Sequence, residues 1–153
     1  MKIAVLASGK LRERYAKLGA EVYVERIRKM IPFELIEVPE SRGARPEKTG
    51  PRLAARLRDE DRVALLAADG TQHTSEGFAS VIRRAIQAGR GRYVLVVGGP
   101  YGAGAAIEAR AAERFSLGRM TLPHELARLV LLEQLYRALT IIRGGSYHHG
   151  DNA

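Results

Sequence analysis

The chain has no cysteine among its 153 residues. Disulfide frameworks, zinc–thiolate sites and cysteine nucleophiles are therefore excluded, while the redox compartment is left open. No uncharged stretch reaches the length needed to span a bilayer. The opening apolar run, Ile3 to Ala7, is shorter than the core of a secretory signal and is closed by Ser8-Gly9-Lys10, so the expectation is the cytoplasm, without membrane contact. Dinucleotide and Walker-type phosphate strings are also missing, which leaves a nucleotide-binding module with little support. Lysine is scarce, 5 residues beside 20 arginines.

What is present is a basic, ordinary globular composition. The formal charge is +8 and 46% of residues are hydrophobic. The length fits one domain, 1–153, with a real core but no room for a separate substrate domain. A basic surface attracts polyanions, and the guanidinium fork matches phosphate oxygens, so nucleic acid is the natural partner. Such binding weakens steeply with salt. A solvated arginine surplus of no function is the alternative.

Apolar runs alternate with helical patterns. Strands are expected at Ile3 to Ala7, Phe33 to Val38, Val63 to Ala67 and Tyr93 to Val97, with a short fifth at Arg114 to Leu117. Helices are expected at Leu11 to Met30 (apolar side Leu18, Val22 and Ile27), at Leu53 to Asp59, and from a cap at Thr74 or Ser75 to about Ala88. Two more should span Ala105 to Glu113 and run from about Pro123 to Ile142. Pro39 to Pro51, with Ser41, Arg42, Gly43, Arg45 and Lys48, reads as a loop or a frayed helix start. Asp69-Gly70 is a turn signal, and Gly144-Gly145 stops the last helix. This is an open, mostly parallel α/β sheet with helices on both faces. The last helix is apolar over more than one face, which calls for cover from a second copy or a wrapped segment. A homodimer is the expectation.

Two constellations follow strands. Gly98-Gly99-Pro100-Tyr101-Gly102-Ala103-Gly104 is placed where parallel sheets bind ligands, beyond a strand's carboxyl end. A tight turn would explain it equally. Leu117-Gly118-Arg119-Met120-Thr121-Leu122-Pro123-His124 is weaker alone, since His124 would serve equally well as a cap for the last helix. Together with Ser116-Leu117, Leu135-Tyr136-Arg137-Ala138, Tyr147-His148, Met1 to Val5 and Pro32 to Pro39, these strings resemble the bacterial ribosomal RNA large subunit methyltransferase H family of the SPOUT superfamily.

The resemblance covers nearly the whole chain. It implies a C-terminal trefoil knot, a homodimer, and methyl transfer from S-adenosyl-L-methionine to ring N3 of a pseudouridine in helix 69 of 23S rRNA. The substrate would be the large subunit or 70S ribosome, with no metal. It puts the cofactor on Leu66, Gly98, Leu117, Gly118, Arg119, Met120, Thr121 and Leu122, with Leu117, Met120 and Leu122 as apolar walls and Gly98 and Gly118 leaving room. It puts substrate contacts on His124, Arg137, Tyr147 and His148, and the chemistry on Arg137, Tyr147 and His148. The proton acceptor is either His148 or solvent. This chain departs from the family pattern at Ala67, where an acid is common, and Asp69 could compensate. It departs again at Gly144-Gly145-Ser146 before the terminal pair, and in the extension through Ala153. A SPOUT enzyme for another rRNA or tRNA base, or a non-catalytic ribosome-binding protein of the same fold, are the competing readings.

Overall fold

The computed structural model describes residues 2–40 and 45–150, so Ser41, Arg42, Gly43 and the extension beyond 150 lie outside the described residues. Five strands, β1 (Lys2–Ser8), β2 (Phe33–Val38), β3 (Arg62–Gln72), β4 (Arg92–Val97) and β5 (Ala111–Ser116), form one sheet in the order β2-β1-β4-β3-β5. Every pairing is parallel. The helices are α1 (Arg14–Arg28), α2 (Pro46–Ala54), α3 (Ser75–Ala88), α4 (Ala105–Arg110) and α5 (His124–Ile142), and a single 3-10 turn covers Tyr147–His149.

The alternation of side chains along each strand builds two cores. Ile3, Val5, Tyr93, Leu95 and Phe115 point to the side that carries α1, α3 and α5. Ala4, Leu6, Val63, Val94 and Val96 meet Leu53 of α2 and Ile107 of α4 on the other. Strand β4 is buried along its whole length, which is why its sequence is apolar without alternation. At the amino-terminal edge of the sheet, Arg92 closes the core with ions. Its Nε and Nη2 grip Asp61 at 3.0 and 2.6 Å, and Nη1 donates to Glu34 at 3.1 Å.

Several boundaries differ from expectation for physical reasons. The second helix lies at Pro46–Ala54 rather than at Leu53 to Asp59. The Asp69-Gly70 turn signal is a bulge inside an eleven-residue β3, where pairing to β5 breaks after Leu66 and resumes at Thr71. Gly70 is needed there, since a Cβ would stand 2.5 Å from the Phe115 carbonyl carbon. Helix α4 ends at Arg110, and the alanine-rich stretch after it becomes edge strand β5, because β3 supplies a partner backbone. On α1 the buried stripe is Ala16, Ala20, Val24 and Ile27, whereas Leu18 and Val22 face solvent.

Helix α5 lies between α1 and α3. Leu131, Leu132, Leu135, Tyr136, Ala138 and Leu139 are all buried within one chain. Its all-round apolar character is thus largely met by its own neighbours, and the uncovered apolar surface is on α1 instead.

Candidate active site

The positions expected to hold the cofactor come from three adjacent strands. Leu66 precedes the bulge of β3, Gly98 follows β4, and Leu117 follows β5. The 98–104 loop folds onto itself: the Gly102 N–H donates to the Gly99 carbonyl at 3.0 Å. A Cβ at Gly98 would lie 2.6 Å from the Gly102 carbonyl carbon. Gly98 is therefore required by the loop's own backbone. Gly118 is the reverse case. It takes φ +148° with nothing near its missing Cβ, a backbone state that glycine adopts freely. The Ser116 hydroxyl fixes the loop, accepting from the Gly118 N–H at 3.1 Å and donating to its carbonyl at 2.9 Å.

Leu66, Leu117 and Leu122 are half-buried, but Arg119 and Thr121 are exposed and Met120 is 86% exposed. Met120 is no apolar wall in the single chain. Asp69 accepts from Arg114 at 2.6 Å.

His124 is the first residue of α5, after Pro123 at the cap position. The next residues staple this end to the loop after β1. Glu125 accepts from the N–H groups of Arg12 and Glu13 at 2.5 and 3.0 Å. Arg128, almost fully buried, donates to the carbonyls of Ser8 and Gly9 and to Glu37.

The other expected residues gather further along α5. Arg137 lies over the Tyr147 ring at 4.9 Å and donates to His148 Nδ1 at 3.1 Å. An arginine only donates, so Nδ1 must be the acceptor. Nε2 then carries the hydrogen and donates to Glu76 at 2.8 Å. Both imidazole nitrogens are engaged. Glu133, which sequence reasoning missed, is the hub. One of its oxygens accepts from Arg137 Nε and Nη2 at 3.0 and 2.8 Å and from the Tyr147 hydroxyl at 3.3 Å. Burial, the Tyr23 hydroxyl at 3.4 Å and the Glu133 charge raise the Tyr147 pKa far above the usual range, so its hydroxyl stays protonated. The bond from His148 holds Glu76 below the usual carboxylate range. The one signal for Glu133 was its place four residues before Arg137 on a helix.

A cavity of about 230 Å³ borders the loop after β5, lined by His73, Ser75, Phe78, Leu117, Val130 and Gln134 among others. Gln134 accepts from Ser75 and donates to Glu133, both at 3.0 Å. Gln134 thus links the cavity wall to Glu133. His124 does not join the tail cluster: it lies thirteen positions before Arg137 on the same helix, roughly 20 Å away.

A family model described as "Predicted SPOUT methyltransferase" matches residues 1–148. The chain is 39% identical over 158 residues to "Ribosomal RNA large subunit methyltransferase H" of Lactococcus lactis subsp. cremoris, covering 97% of this chain and 99% of that protein. It is 37% identical over 158 residues to the protein of that name from Listeria monocytogenes serotype 4b, with the same coverage. This chain belongs to the SPOUT methyltransferases. Its fold is therefore the α/β knot, with the trefoil in the C-terminal region that carries these loops and α5, and it is an S-adenosyl-L-methionine-dependent methyltransferase. The cofactor needs apolar walls with few charges, and Leu66, Leu117 and Leu122 are half-buried apolar side chains in these loops.

Among the described residues no helix is long and apolar enough to cross a membrane, and no group of three acidic or histidine side chains is placed to hold a metal.

Proposed function

We propose that this chain methylates ring N3 of a pseudouridine in helix 69 of 23S rRNA, presented on the large subunit or the 70S ribosome. The reading is carried by end-to-end similarity to relatives named for the large-subunit RNA. When bound, the cofactor supplies an electrophilic methyl group whose sulfur departs as a neutral thioether. The protein's share is placement and charge. Leu66, Gly98 and the Leu117 to Leu122 loop hold the donor. Tyr147 packs against or hydrogen-bonds the base, with Arg137 beside it. As N3 loses its proton and attacks the methyl carbon, the Arg137 cation stabilises the negative charge that develops on the ring. The proton goes to solvent in this reading, which the engagement of both His148 nitrogens and the protonated Tyr147 hydroxyl support. His148 holds Arg137 and the tail in place.

The same reading includes a homodimer. Tyr15, Leu18 and Val22 form a stripe on α1, about half exposed, and Leu129 of α5 packs against Gly19 beside it. A second copy would cover this stripe. It would also let one substrate meet His124 and a tail cluster, which one chain keeps roughly 20 Å apart.

The test is calorimetry with S-adenosylhomocysteine, paired with labelled-methyl transfer to ribosomes from cells lacking the gene. Cofactor binding with methyl recovered in 23S rRNA is expected. Transfer to tRNA or another rRNA base would replace the substrate assignment. Ribosome binding without cofactor affinity would make the chain a non-catalytic binding protein.

A further inference from the structure

Three faces can be told apart around α1 at about 100° per residue. One is the core stripe from Ala16 to Ile27. The second is the apolar stripe of Tyr15, Leu18 and Val22. The third carries Lys17, Glu21 and Arg28 and is turned about 110° away from the apolar stripe. This third face borders a groove of about 340 Å³ that runs between α1 and β2, with Leu11 and Leu35 on its floor. Strand β2 is an edge of the sheet, so nothing within the sheet closes the groove on that side.

The groove is rimmed by cations. Lys10, Lys17 and Arg28 rim it, and all three are exposed. Among the described residues their side chains make no hydrogen bond or ion pair. By contrast, nearby Lys29 is paired with Glu25. Of the two acids on the groove, Glu37 is already neutralised by Arg128 at 2.8 Å, which leaves Glu21. Three unpaired cations over an apolar floor suit an extended polyanion with exposed bases. The groove also leads to the start of α5. Lys10 is in the loop that Arg128 grips at Ser8 and Gly9 and that Glu125, next to His124, grips at Arg12 and Glu13. A strand of RNA following the groove therefore arrives at the start of α5 on a rigid path.

We propose that this groove is the track for the RNA backbone flanking the target nucleotide, with Lys10, Lys17 and Arg28 on its phosphates; this rests on the ribosomal-RNA reading above. The apolar stripe stays free for the second copy.

The test measures binding to 70S ribosomes from cells lacking the gene, between about 50 and 200 mM salt, for wild type, Lys17→Gln/Arg28→Gln and Arg83→Gln/Arg84→Gln. The last pair removes equal charge from exposed positions on α3, outside the groove. Each lost phosphate contact lowers the log–log salt slope by about 0.7–0.9. The groove variant should lose about 1.4–1.8 of slope, a deficit roughly tenfold larger at low than at high salt. Affinity for S-adenosylhomocysteine should be unchanged, and the α3 variant should match wild type. An unchanged slope in the groove variant overturns the proposal. So does an equal loss in the α3 variant, which would mean net charge alone, or weaker binding at every salt with the wild-type slope, which would mean a protein contact. Wild type that fails to bind ribosomes sinks the ribosomal reading itself, and the track with it.

Discussion

Glu133→Gln isolates what the tail cluster contributes. In the native protein one carboxylate oxygen takes two bonds from the Arg137 guanidinium and one from Tyr147. Glu133 is 19% and Arg137 24% exposed, so water screens the pair only partly. Hydrogen bonds to charged groups contribute about 1.5–3 kcal/mol each, neutral ones about 0.5–1.5. Glutamine keeps the shape and one acceptor oxygen but loses the charge. Two bonds each weakened by about 1 kcal/mol give about 2 kcal/mol, or roughly thirtyfold. The tail should be undocked for part of the time, and Arg137 should lose its fixed direction. The assay is kcat/KM for methyl transfer to ribosomes, run beside calorimetry with S-adenosylhomocysteine. The expected result is a fall of about thirtyfold in transfer with cofactor affinity retained. Tyr147→Phe should cost less on the Glu133→Gln background than in wild type, because both variants break the same contact. Equal losses of transfer and cofactor binding, or no loss of transfer, would refute the tail's role in orienting the substrate.

Three further outcomes follow from the packing. The Asp61 side chain is fully buried. Burial pushes its pKa up, but the Arg92 bonds and the Arg58 N–H pull it lower than its ordinary value. A lowered native pKa contributes stability above the unfolded value, about 3.9, that is lost as pH falls through the native one; melting followed from pH 5 to 2 should show this loss, and Asp61→Asn should flatten it. At neutral pH the same substitution should cost about 3 kcal/mol, because it leaves Arg92 underpaired in the core, and denaturant unfolding measures that. Gly70→Ala should destabilise by about 1–3 kcal/mol through its clash with Phe115; it should also weaken cofactor binding, since Phe115 leads into the Ser116-Leu117 turn, and wild-type affinity would detach the bulge from the pocket. Leu18→Asp should weaken the dimer by about 2 kcal/mol or more, since each copy loses an apolar contact; sedimentation would show monomer at concentrations where wild type pairs, and an unchanged dimer would move the interface off α1.

The parallel sheet was legible because β1 and β4 are buried on both faces, and a short, continuous apolar run closed by turn residues is the pattern such a strand requires. The glycine stop after α5 was legible for a local reason, as the Gly145 N–H closes onto the Thr140 carbonyl at 2.9 Å. What could not be read depended on partners distant in sequence. Leu18 and Val22 look more like core than Ala16 and Ala20, yet small residues are the ones that let α1 approach the sheet. Ala111 to Glu113 reads as helix until β3 offers its backbone. Glu133 looked like one more charge on a helix, and its importance depends on a tail that returns fourteen residues later to place Tyr147 against it. Arg137, Tyr147 and His148 were legible only through family resemblance, and the structure then drew them into one cluster. His124 stayed outside that cluster because a helix holds its two ends apart.

Methyl transfer to the large-subunit pseudouridine is tested most directly by mass analysis of the helix 69 fragment of 23S rRNA. The RNA is taken from cells with this gene, without it, and without it but carrying the Arg137→Ala form. The fragment should carry one methyl group fewer in the deletion strain, on the pseudouridine, and the Arg137→Ala form should not restore it. An unchanged methyl group at that nucleotide in the deletion strain would contradict the assigned reaction.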